Sequence, residues 1–323
     1  MGKLIYILSF GHSGSTLLDL TLGTHSKMLS TGELMFLPFN LQRSLNAEYP
    51  IRDGSRCSCH LKYLDCPVWS ETLKRIVSNT GDTSIRENPL LGFDMSFLRD
   101  QDFLAKGRLL DRIKKLLLLS APEFSTRGIQ NSLSLMNNWD VIDTLSEVSG
   151  EEYIVDSSKD VFRLFHFLRY RPKDVKVVVN IRSPFGVANS YRKQGRRTKA
   201  AAQQWLRYYQ SVIRVLKKFE IDPFLVNYDS LCEDPIGVRR AVLQYLDIAD
   251  DGLTEVVINR GDHHMALGNG MRFKDGIRIR ADDAWRELFP LEDKRLVTGY
   301  LENRIEALGG LITSKQKVEL LSL

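Results

Sequence analysis

The sequence predicts an α/β protein with a parallel sheet flanked by helices, because short apolar runs alternate with helical patterns along the chain. Four runs rich in β-branched residues are the predicted strands, at 4–10, 153–155, 175–181 and 224–226. Each run ends in polar residues that could bind an anion or take part in a reaction. Ligands of such proteins bind beyond the carboxyl ends of the strands, so this edge of the sheet is the expected functional site.

The run at 175–181 is almost continuously apolar, which is typical of a strand covered by helices on both faces. Apolar residues recur at helical spacing between and after the strands. The helices predicted on this ground are 16–23, 160–170, 185–193, 200–219 and 238–246.

Residues 34–150 interrupt this alternation. They contain a polar stretch at 78–88 and amphipathic patterns such as 108–119. We therefore expect one domain over 1–323, with 34–150 as a mainly helical insertion beside the sheet. The tail at 311–323 is typical of a surface helix.

Composition excludes several classes of protein. The chain has 323 residues, of which 43% are hydrophobic and 26% charged, as in folded globular proteins rather than disordered ones. The formal net charge of +5 is too mild to indicate a nucleic-acid partner. No apolar run approaches the roughly 18 residues needed to span a bilayer, so no membrane partner is expected. The oligomeric state has no signal in the sequence.

The first eight residues are apolar apart from one lysine, and they superficially resemble a secretory signal. No small-residue cleavage site follows, so a first strand is the favoured interpretation. Four cysteines in the whole chain are typical of a reducing compartment, and we expect a cytoplasmic protein.

Three of the four cysteines lie close together, as Cys57, Cys59 and Cys66. A metal site would need a fourth ligand, and His60 is the only candidate nearby, with a spacing that does not match a standard zinc pattern. The histidine pair at 263–264 also lacks a known metal-binding spacing. Packing in the interior or an occasional disulfide is the favoured interpretation of the cysteines, and we expect no bound metal.

The first predicted strand runs into a turn of glycine and hydroxyl residues, directly before a helical pattern. The amide groups of such a turn converge, and the helix dipole adds positive potential there. Gly11 and Gly14 would let the backbone approach an anion closely, and Ser13, Ser15 and Thr16 would donate hydrogen bonds. The turn therefore predicts an anion-binding loop of the P-loop type, the alternative being a generic strand-to-helix turn.

This turn departs from the loop of nucleoside triphosphatases, G-x-x-x-x-G-K-[ST], whose lysine reaches the terminal phosphates. When Gly14 and Thr16 are aligned with that pattern, Ser15 takes the place of the lysine and Ser9 that of the first glycine. An ordinary ATPase or GTPase is therefore disfavoured. Asp156, after the second predicted strand, could still act as an acidic metal ligand.

Residues 13–18 resemble the phosphosulfate-binding loop of sulfotransferases, usually written R/K-S-G-[ST]-T-x-L. These enzymes take a sulfuryl group from 3′-phosphoadenosine-5′-phosphosulfate (PAPS) and release 3′,5′-diphosphoadenosine (PAP). The resemblance covers 3–33 and 152–285 in the family's order, and 34–150 is the least matched part. It implies that the turn binds the donor through Gly11, His12, Ser13, Gly14, Ser15, Thr16 and Leu17.

Arg182 follows the predicted strand 175–181, and Ser190 lies on the next predicted helix, which starts near Pro184. A guanidinium and a hydroxyl so placed could hold one phosphate. Their spacing resembles the family's R-x-P-x-x-x-x-x-S, which implies that both bind the 3′-phosphate of the donor. The alternatives are a surface ion pair for Arg182 and a solvent-facing position for Ser190.

The resemblance also implies catalytic roles. Lys159 matches a lysine that lies near the bridging oxygen of the donor in bacterial and tyrosylprotein sulfotransferases, where it would stabilise charge on the leaving phosphate. Glu33 lies in a Gly-Glu context similar to that of the general base in the tyrosylprotein branch. The alternatives are a solvated lysine and a carboxylate favoured by a nearby helix dipole.

His12 stands where the family has arginine or lysine. As a cation it could supply that charge beside the donor; as a neutral ring it could donate one hydrogen bond or act as an alternative base. The sequence leaves both roles open.

Residues 263–273 resemble the G-N-x-x-R segment of bacterial sulfotransferases, which closes over the nucleotide. Arg272 is the strongest candidate there for clamping a phosphate or sulfate. The resemblance implies further contacts with the donor in this part of the chain, by Gly268, Asn269, Arg272, Arg278 and Arg280. Tyr228, which follows the predicted strand 224–226, is implied as another donor contact.

The resemblance therefore implies a PAPS-dependent sulfotransferase that moves a sulfuryl group to a hydroxyl or amine of a small-molecule acceptor by in-line displacement, without a metal. The expected catalytic residues are Glu33, His12 and Lys159. A metal-dependent small-molecule kinase with a degenerate phosphate loop and a non-enzymatic nucleotide-binding protein are the alternatives.

Overall fold

A computed structural model describes residues 1–45, 56–81, 83, 138–283, 285–309 and 311–312. These residues form an α/β fold around a five-stranded parallel sheet with the order β2-β3-β1-β4-β5. The strands are β1 (Lys3–Ser9), β2 (Met28–Ser30), β3 (Tyr153–Asp156), β4 (Val175–Ile181) and β5 (Phe224–Asn227).

Helices connect and cover the strands. In chain order they are α1 (Ser15–Leu22), α2 (Leu37–Leu45), α3 (Pro67–Thr80), α4 (Asn138–Ser149), α5 (Val161–Tyr170), α6 (Pro184–Arg192), α7 (Thr198–Lys218), α8 (Tyr228–Glu233), α9 (Pro235–Leu246), α10 (Trp285–Leu288) and α11 (Leu291–Leu301).

β1 lies at the centre of the sheet and pairs in parallel with β3 and β4, so that Lys3 lies beside Tyr153 and Leu4 beside Val175. Its side chains alternate between two buried clusters, with Tyr6 in one and Ile7 in the other. A strand buried on both faces must be apolar throughout, which is why these runs are continuously apolar rather than alternating.

The two faces of the sheet are covered by different helices. On one face, aromatic residues from α4, α5 and α7 pack together, among them Trp139, Phe167 and Trp205. On the other face, α1 and α9 contribute Leu18 and Val242 to the second cluster. The predicted parallel sheet with helices on both faces is confirmed.

The predicted elements are found within a few residues of their expected limits, and the first eight residues lie almost entirely in the expected strand. β2 is not among the predicted strands, since it is only three residues long. The described part of 34–150 is mainly helical, with α2, α3 and α4. The amphipathic pattern at 108–119 and the tail beyond 312 lie outside the described residues. Among the described residues, no helix is both long and apolar enough to cross a membrane.

A buried ion pair fixes the end of β3 to α5. Arg163 Nε donates to Asp156 Oδ2 at 2.9 Å, and the two side chains are 6% and 0% exposed. Arg163 Nη1 also donates to Asn138 at 2.5 Å. Because both charges have been removed from water, each depends on the other for its stabilisation.

We expect Arg163→Met to lower the free energy of unfolding by about 3 kcal/mol, because it leaves the Asp156 carboxylate buried without its partner. The control is Arg240→Met, which breaks the half-exposed pair of Arg240 with Asp250 at 2.9 Å and should cost less than about 1 kcal/mol. Urea denaturation of the two variants measures both losses, and equal losses would contradict this account of the pair.

Candidate functional site

A cavity of about 590 Å³ lies at the edge of the sheet where the strands end. Most of the residues predicted from the sequence line it together, although they come from widely separated parts of the chain. They are Gly11, His12, Gly14, Ser15, Thr16, Leu17, Glu33, Lys159, Arg182, Ser190, Tyr228, Gly268, Asn269, Arg278 and Arg280.

Two predicted residues do not line the cavity. Ser13 is 1% exposed, and its carbonyl accepts a hydrogen bond from Asn180 at 2.7 Å. Arg272 is also 1% exposed; its Nη1 donates to the carbonyl of Gly268 at 2.6 Å, and its guanidinium lies 4.2 Å from the ring centre of Phe273. The residue singled out as the strongest clamp therefore supports the cavity wall from behind.

The turn between β1 and α1 has the geometry of an anion-binding loop. Gly14 takes a left-handed conformation, with φ of 84°, directly before the helix begins at Ser15. The first turn of α1 has neither an acidic residue nor a capping side chain, so no side chain of the helix itself occupies its first amides. Gly14 also lies against Tyr228: a β-carbon added to it would lie 2.4 Å from the tyrosine Cδ2.

His12 lies in this turn with a positive φ of 64°. The side-chain nitrogen of Gln194 lies 3.0 Å from His12 Nε2 and donates to it, because an amide nitrogen cannot accept. Burial lowers the pKa of His12, and the positive charges of Lys159, Arg196 and Arg182 lower it further. In the ligand-free protein these effects favour the neutral ring over the cation.

Arg182 joins the turn to the second predicted anion site. Its side chain is 5% exposed; Nη1 donates to the carbonyl of His12 at 2.9 Å, and Nη2 donates to the carboxylate of Asp282 at 3.1 Å. The guanidinium also lies 4.3 Å from the ring centre of Tyr228. Ser190 faces the same cavity, and its hydroxyl donates to the carbonyl of Gly186 at 3.0 Å.

Glu33 and Lys159 form an ion pair in the cavity wall. Lys159 Nζ lies 2.6 Å from Glu33 Oε1 and 3.3 Å from Ser15 Oγ, and the two paired side chains are only 17–20% exposed. Lys159 takes a positive φ of 66°, which turns its side chain back towards the turn. A carboxylate and an ammonium are thus held beside the amino end of α1.

The segment that follows His264 forms the opposite wall of the cavity. The amide of Glu33 donates to the carbonyl of Leu267 at 2.9 Å, and the amide of Asn269 donates to Thr16 Oγ1 at 3.1 Å. Gly32 has a φ of 68°, and a β-carbon there would lie 2.1 Å from the Leu267 carbonyl. Only glycine allows this close approach of the two chains.

Several residues of the site were not predicted from the sequence. Met271, Ile277 and Ile279 give the cavity an apolar part, and Asp282 contacts Arg182. Isolated apolar residues in a polar segment have no local pattern from which a cavity wall could be predicted. Arg278 was predicted to contact the donor, but here its guanidinium is paired with Glu255 at 3.4 Å and its side chain is 73% exposed.

Asp19 lies fully buried below the turn, on α1. Its carboxylate accepts hydrogen bonds from Ser30 at 2.5 Å and Ser157 at 2.6 Å, and so ties the helix to the ends of β2 and β3. Burial raises the pKa of Asp19 to about 7, although these hydrogen bonds oppose the shift. A titratable group therefore supports the helix whose amino end faces the cavity.

The burial of Cys57 and Cys66 agrees with the predicted packing in the interior, whereas the cluster contains no disulfide and does not use His60. All four cysteines of the chain are free, and the Sγ atoms of Cys57 and Cys66 are 3.7 Å apart. His60 turns away, with Nε2 3.2 Å from the carbonyl of Phe273. Instead, Nδ1 of His264 lies 3.2 Å from Cys66 Sγ. The cluster is thus completed by a distant histidine, which the local spacing could not indicate.

No protein-family model matches the sequence, and no curated protein is similar to it in sequence. Among solved structures, the fold is similar to bacterial sulfotransferase domains over nearly the whole chain. The sulfotransferase domain of the curacin biosynthetic pathway is 17% identical with a TM-score of 0.48, and covers 94% of this chain and 98% of its own. The corresponding domain of the Synechococcus PCC 7002 olefin synthase is 18% identical with a TM-score of 0.45, covering 92% and 94%. Sulfotransferase STF9 of Mycobacterium avium is 13% identical with a TM-score of 0.39, covering 99% and 75%.

We expect Gly14→Ala to disrupt the anion-binding turn, because the added methyl group collides with Tyr228 and disturbs its contact with Arg182. PAP is the ligand that the family resemblance implies for this turn, and if the turn binds it, calorimetry should show binding at least tenfold weaker in the variant, or about 1.4 kcal/mol. Gly150→Ala is a matched control, since Gly150 has the same φ of 84° but nothing within 4 Å of the added β-carbon. If both variants bind PAP like the wild type, the turn does not depend on this contact.

We expect the buried carboxyl of Asp19 to make stability depend on pH. Its folded pKa of about 7 lies above the ordinary 3.8, so the folded state keeps a proton that the unfolded chain loses between these values. The free energy of unfolding should therefore fall as pH rises through this window, by up to about 1.4 kcal/mol per pH unit. Asp19→Asn should remove this slope, whereas the exposed Asp283→Asn should retain it. Denaturation at pH values across the window tests this, and identical slopes in all three proteins would contradict it.

Proposed function

We propose that this chain is a PAPS-dependent sulfotransferase that transfers a sulfuryl group to a hydroxyl or amine of a small-molecule acceptor. The observation that supports the proposal is that one cavity is lined by two elements suited to anions and by an ion pair suited to acid–base chemistry. The elements are the turn before α1 and Arg182 with Ser190, and the pair is Glu33 with Lys159.

The two anion-binding elements are suited to one ligand with two separate phosphate groups. Arg182 contacts the carbonyl of His12 at 2.9 Å, so the second site directly adjoins the first. In our proposal the turn amides hold the 5′-phosphosulfate, and Arg182 with Ser190 holds the 3′-phosphate, which would compete with Asp282 for the guanidinium. The apolar side chains of Met271 and Ile277 offer a surface for the adenine ring.

Glu33 and Lys159 supply the chemistry of the proposed transfer. The donor's negative groups would draw Lys159 away from Glu33, which leaves the carboxylate free to accept a proton from the acceptor. The acceptor oxygen or nitrogen then forms a bond to sulfur, while the bond from sulfur to the bridging phosphate oxygen breaks. The electron pair remains on that oxygen, and Lys159 stabilises its charge as PAP leaves.

His12 takes the neutral role in this proposal. Three cations already surround it and lower its pKa, so a fourth positive charge would add to their repulsion. With Nε2 accepting from Gln194, its Nδ1 carries the proton and is the ring's hydrogen-bond donor.

Two observations disfavour a metal-dependent kinase. Asp156, the residue that could have held the metal, is 0% exposed and bound to Arg163 at 2.9 Å. Ser15 also takes the place of the lysine that such a loop uses on the terminal phosphates.

The proposal is tested by assaying the protein with PAPS and a panel of phenols, alcohols and amines in magnesium-free buffer, in parallel with ATP and Mg²⁺. We expect PAP release with PAPS and no ADP release with ATP and Mg²⁺, whereas a kinase would show the opposite. Glu33→Gln should lower turnover by roughly 10²–10⁴ while PAP still binds, because only proton removal is lost.

Glu152→Gln is the matched control, since Glu152 pairs with Lys3 at 2.7 Å on the surface and should leave turnover unchanged. Failure of the folded protein to bind PAP would exclude the proposed donor, and unchanged turnover in Glu33→Gln would exclude Glu33 as the base. PAP binding without transfer to any acceptor would favour a nucleotide-binding protein instead.

A further inference from the structure

Three cysteines and one histidine converge outside the cavity, in a part of the molecule that the proposed reaction does not use. Cys57, Cys59 and Cys66 come from a turn before α3, and His264 comes from the segment that returns to the sheet edge. The potential ligand atoms of these four residues all lie within 4.8 Å of one another.

The distances among Cys57, Cys66 and His264 are close to those of a tetrahedral zinc site, and Cys59 Sγ lies within 4.8 Å of the other three ligand atoms. The Sγ atoms of Cys57 and Cys66 are 3.7 Å apart, and Nδ1 of His264 lies 3.7 Å from the first and 3.2 Å from the second. A tetrahedron with Zn–S bonds of about 2.3 Å and a Zn–N bond of about 2.0 Å has S–S edges of about 3.8 Å and S–N edges of about 3.5 Å. A disulfide would instead need the two sulfurs at about 2.0 Å.

Backbone and side-chain hydrogen bonds hold the four residues in place independently of any ion. The amide of Cys57 donates to the carbonyl of Leu61 at 3.0 Å, which closes the turn that carries the cysteines. The hydroxyl of Ser58 donates to the carbonyl of His263 at 2.6 Å and accepts from the amide of Met265 at 2.9 Å. Ser58 therefore forms hydrogen bonds with the residues on both sides of His264, which fixes the position of that histidine.

Two of the four residues are fully buried, and Cys59 and His264 are partly buried. Cys57 and Cys66 are both 0% exposed, and they lie in the same buried cluster as Trp69 at the start of α3. Two buried thiols could pack beside an imidazole without a metal, so burial alone does not indicate one. Four protein ligands and no open position are, however, the ligand set of structural rather than catalytic zinc.

We propose that Cys57, Cys59, Cys66 and His264 bind one structural Zn²⁺ ion. The thiols lose their protons on binding, and the imidazole coordinates as the neutral ring through Nδ1. The expectation of no metal, which rested on local spacing, overlooked a ligand from the other end of the chain.

The proposed ion would tie the cysteine turn to the wall of the cavity. Directly after His264, the amide of Ala266 donates to the carbonyl of Thr31 at 2.7 Å, and the carbonyl of Leu267 accepts from the amide of Glu33 at 2.9 Å. The metal would thus position the backbone of Glu33 without touching the substrate. The ion would act only by positioning the backbone. The proposed zinc site therefore does not depend on the proposed sulfuryl transfer.

Metal analysis of the purified full-length protein, expressed with added zinc, should find about one zinc per chain. Cys66→Ser and His264→Ala should each contain clearly less than one. Cys232→Ser is the matched control, because Cys232 is a buried free cysteine outside the cluster, and this variant should keep its zinc.

Cobalt provides a second measurement on the unaltered protein, which remains decisive if a variant fails to fold. After zinc removal under reducing conditions, Co²⁺ should produce the thiolate charge-transfer and visible bands of a tetrahedral cobalt–thiolate site, and Zn²⁺ should abolish them. Wild-type protein that takes up neither metal overturns the proposal. So does zinc that persists in both Cys66→Ser and His264→Ala, or a cobalt spectrum without thiolate bands.

Discussion

The candidate site depends on the parallel pairing of β1 with β3 and β4. Because the three strands run the same way, their carboxyl ends lie at one edge, and the residues that follow each strand must meet there. Gly14, Lys159 and Arg182 are brought together by this constraint alone. Antiparallel pairing of any of these strands would place its following residues at the opposite edge of the sheet.

Two buried aspartates, Asp19 and Asp156, hold the loops at that edge of the sheet in place. Asp19 accepts hydrogen bonds from the ends of β2 and β3, and Asp156 accepts from Ser158 and pairs with Arg163. A buried charge without partners costs several kcal/mol, so each loop is held where it can supply them. The segments that face the cavity are therefore fixed from below by polar contacts, in an otherwise apolar interior.

Much of the fold and of the site could be predicted because the determining patterns are local. Apolar runs and helical spacing placed the strands and helices, and the residues at strand ends included Arg182 and Lys159. The rest depends on contacts between distant segments, such as Leu267 with Glu33 and His264 with the cysteines, for which a single sequence has no pattern. Arg272 illustrates this limit. Its residue type suggested a phosphate clamp, but the side chain is buried behind the cavity wall and donates to the carbonyl of Gly268.

The central position of β1 has a consequence for the order in which the molecule can be assembled on the ribosome. β1 is synthesised first, yet its neighbours Tyr153 and Val175 emerge only after the long stretch between them has been translated. Until then β1 has no partner within the sheet, and apolar strands exposed in this way favour aggregation. The pairing on which the candidate site depends can therefore be completed only after Ile181, the last residue of β4, has been synthesised.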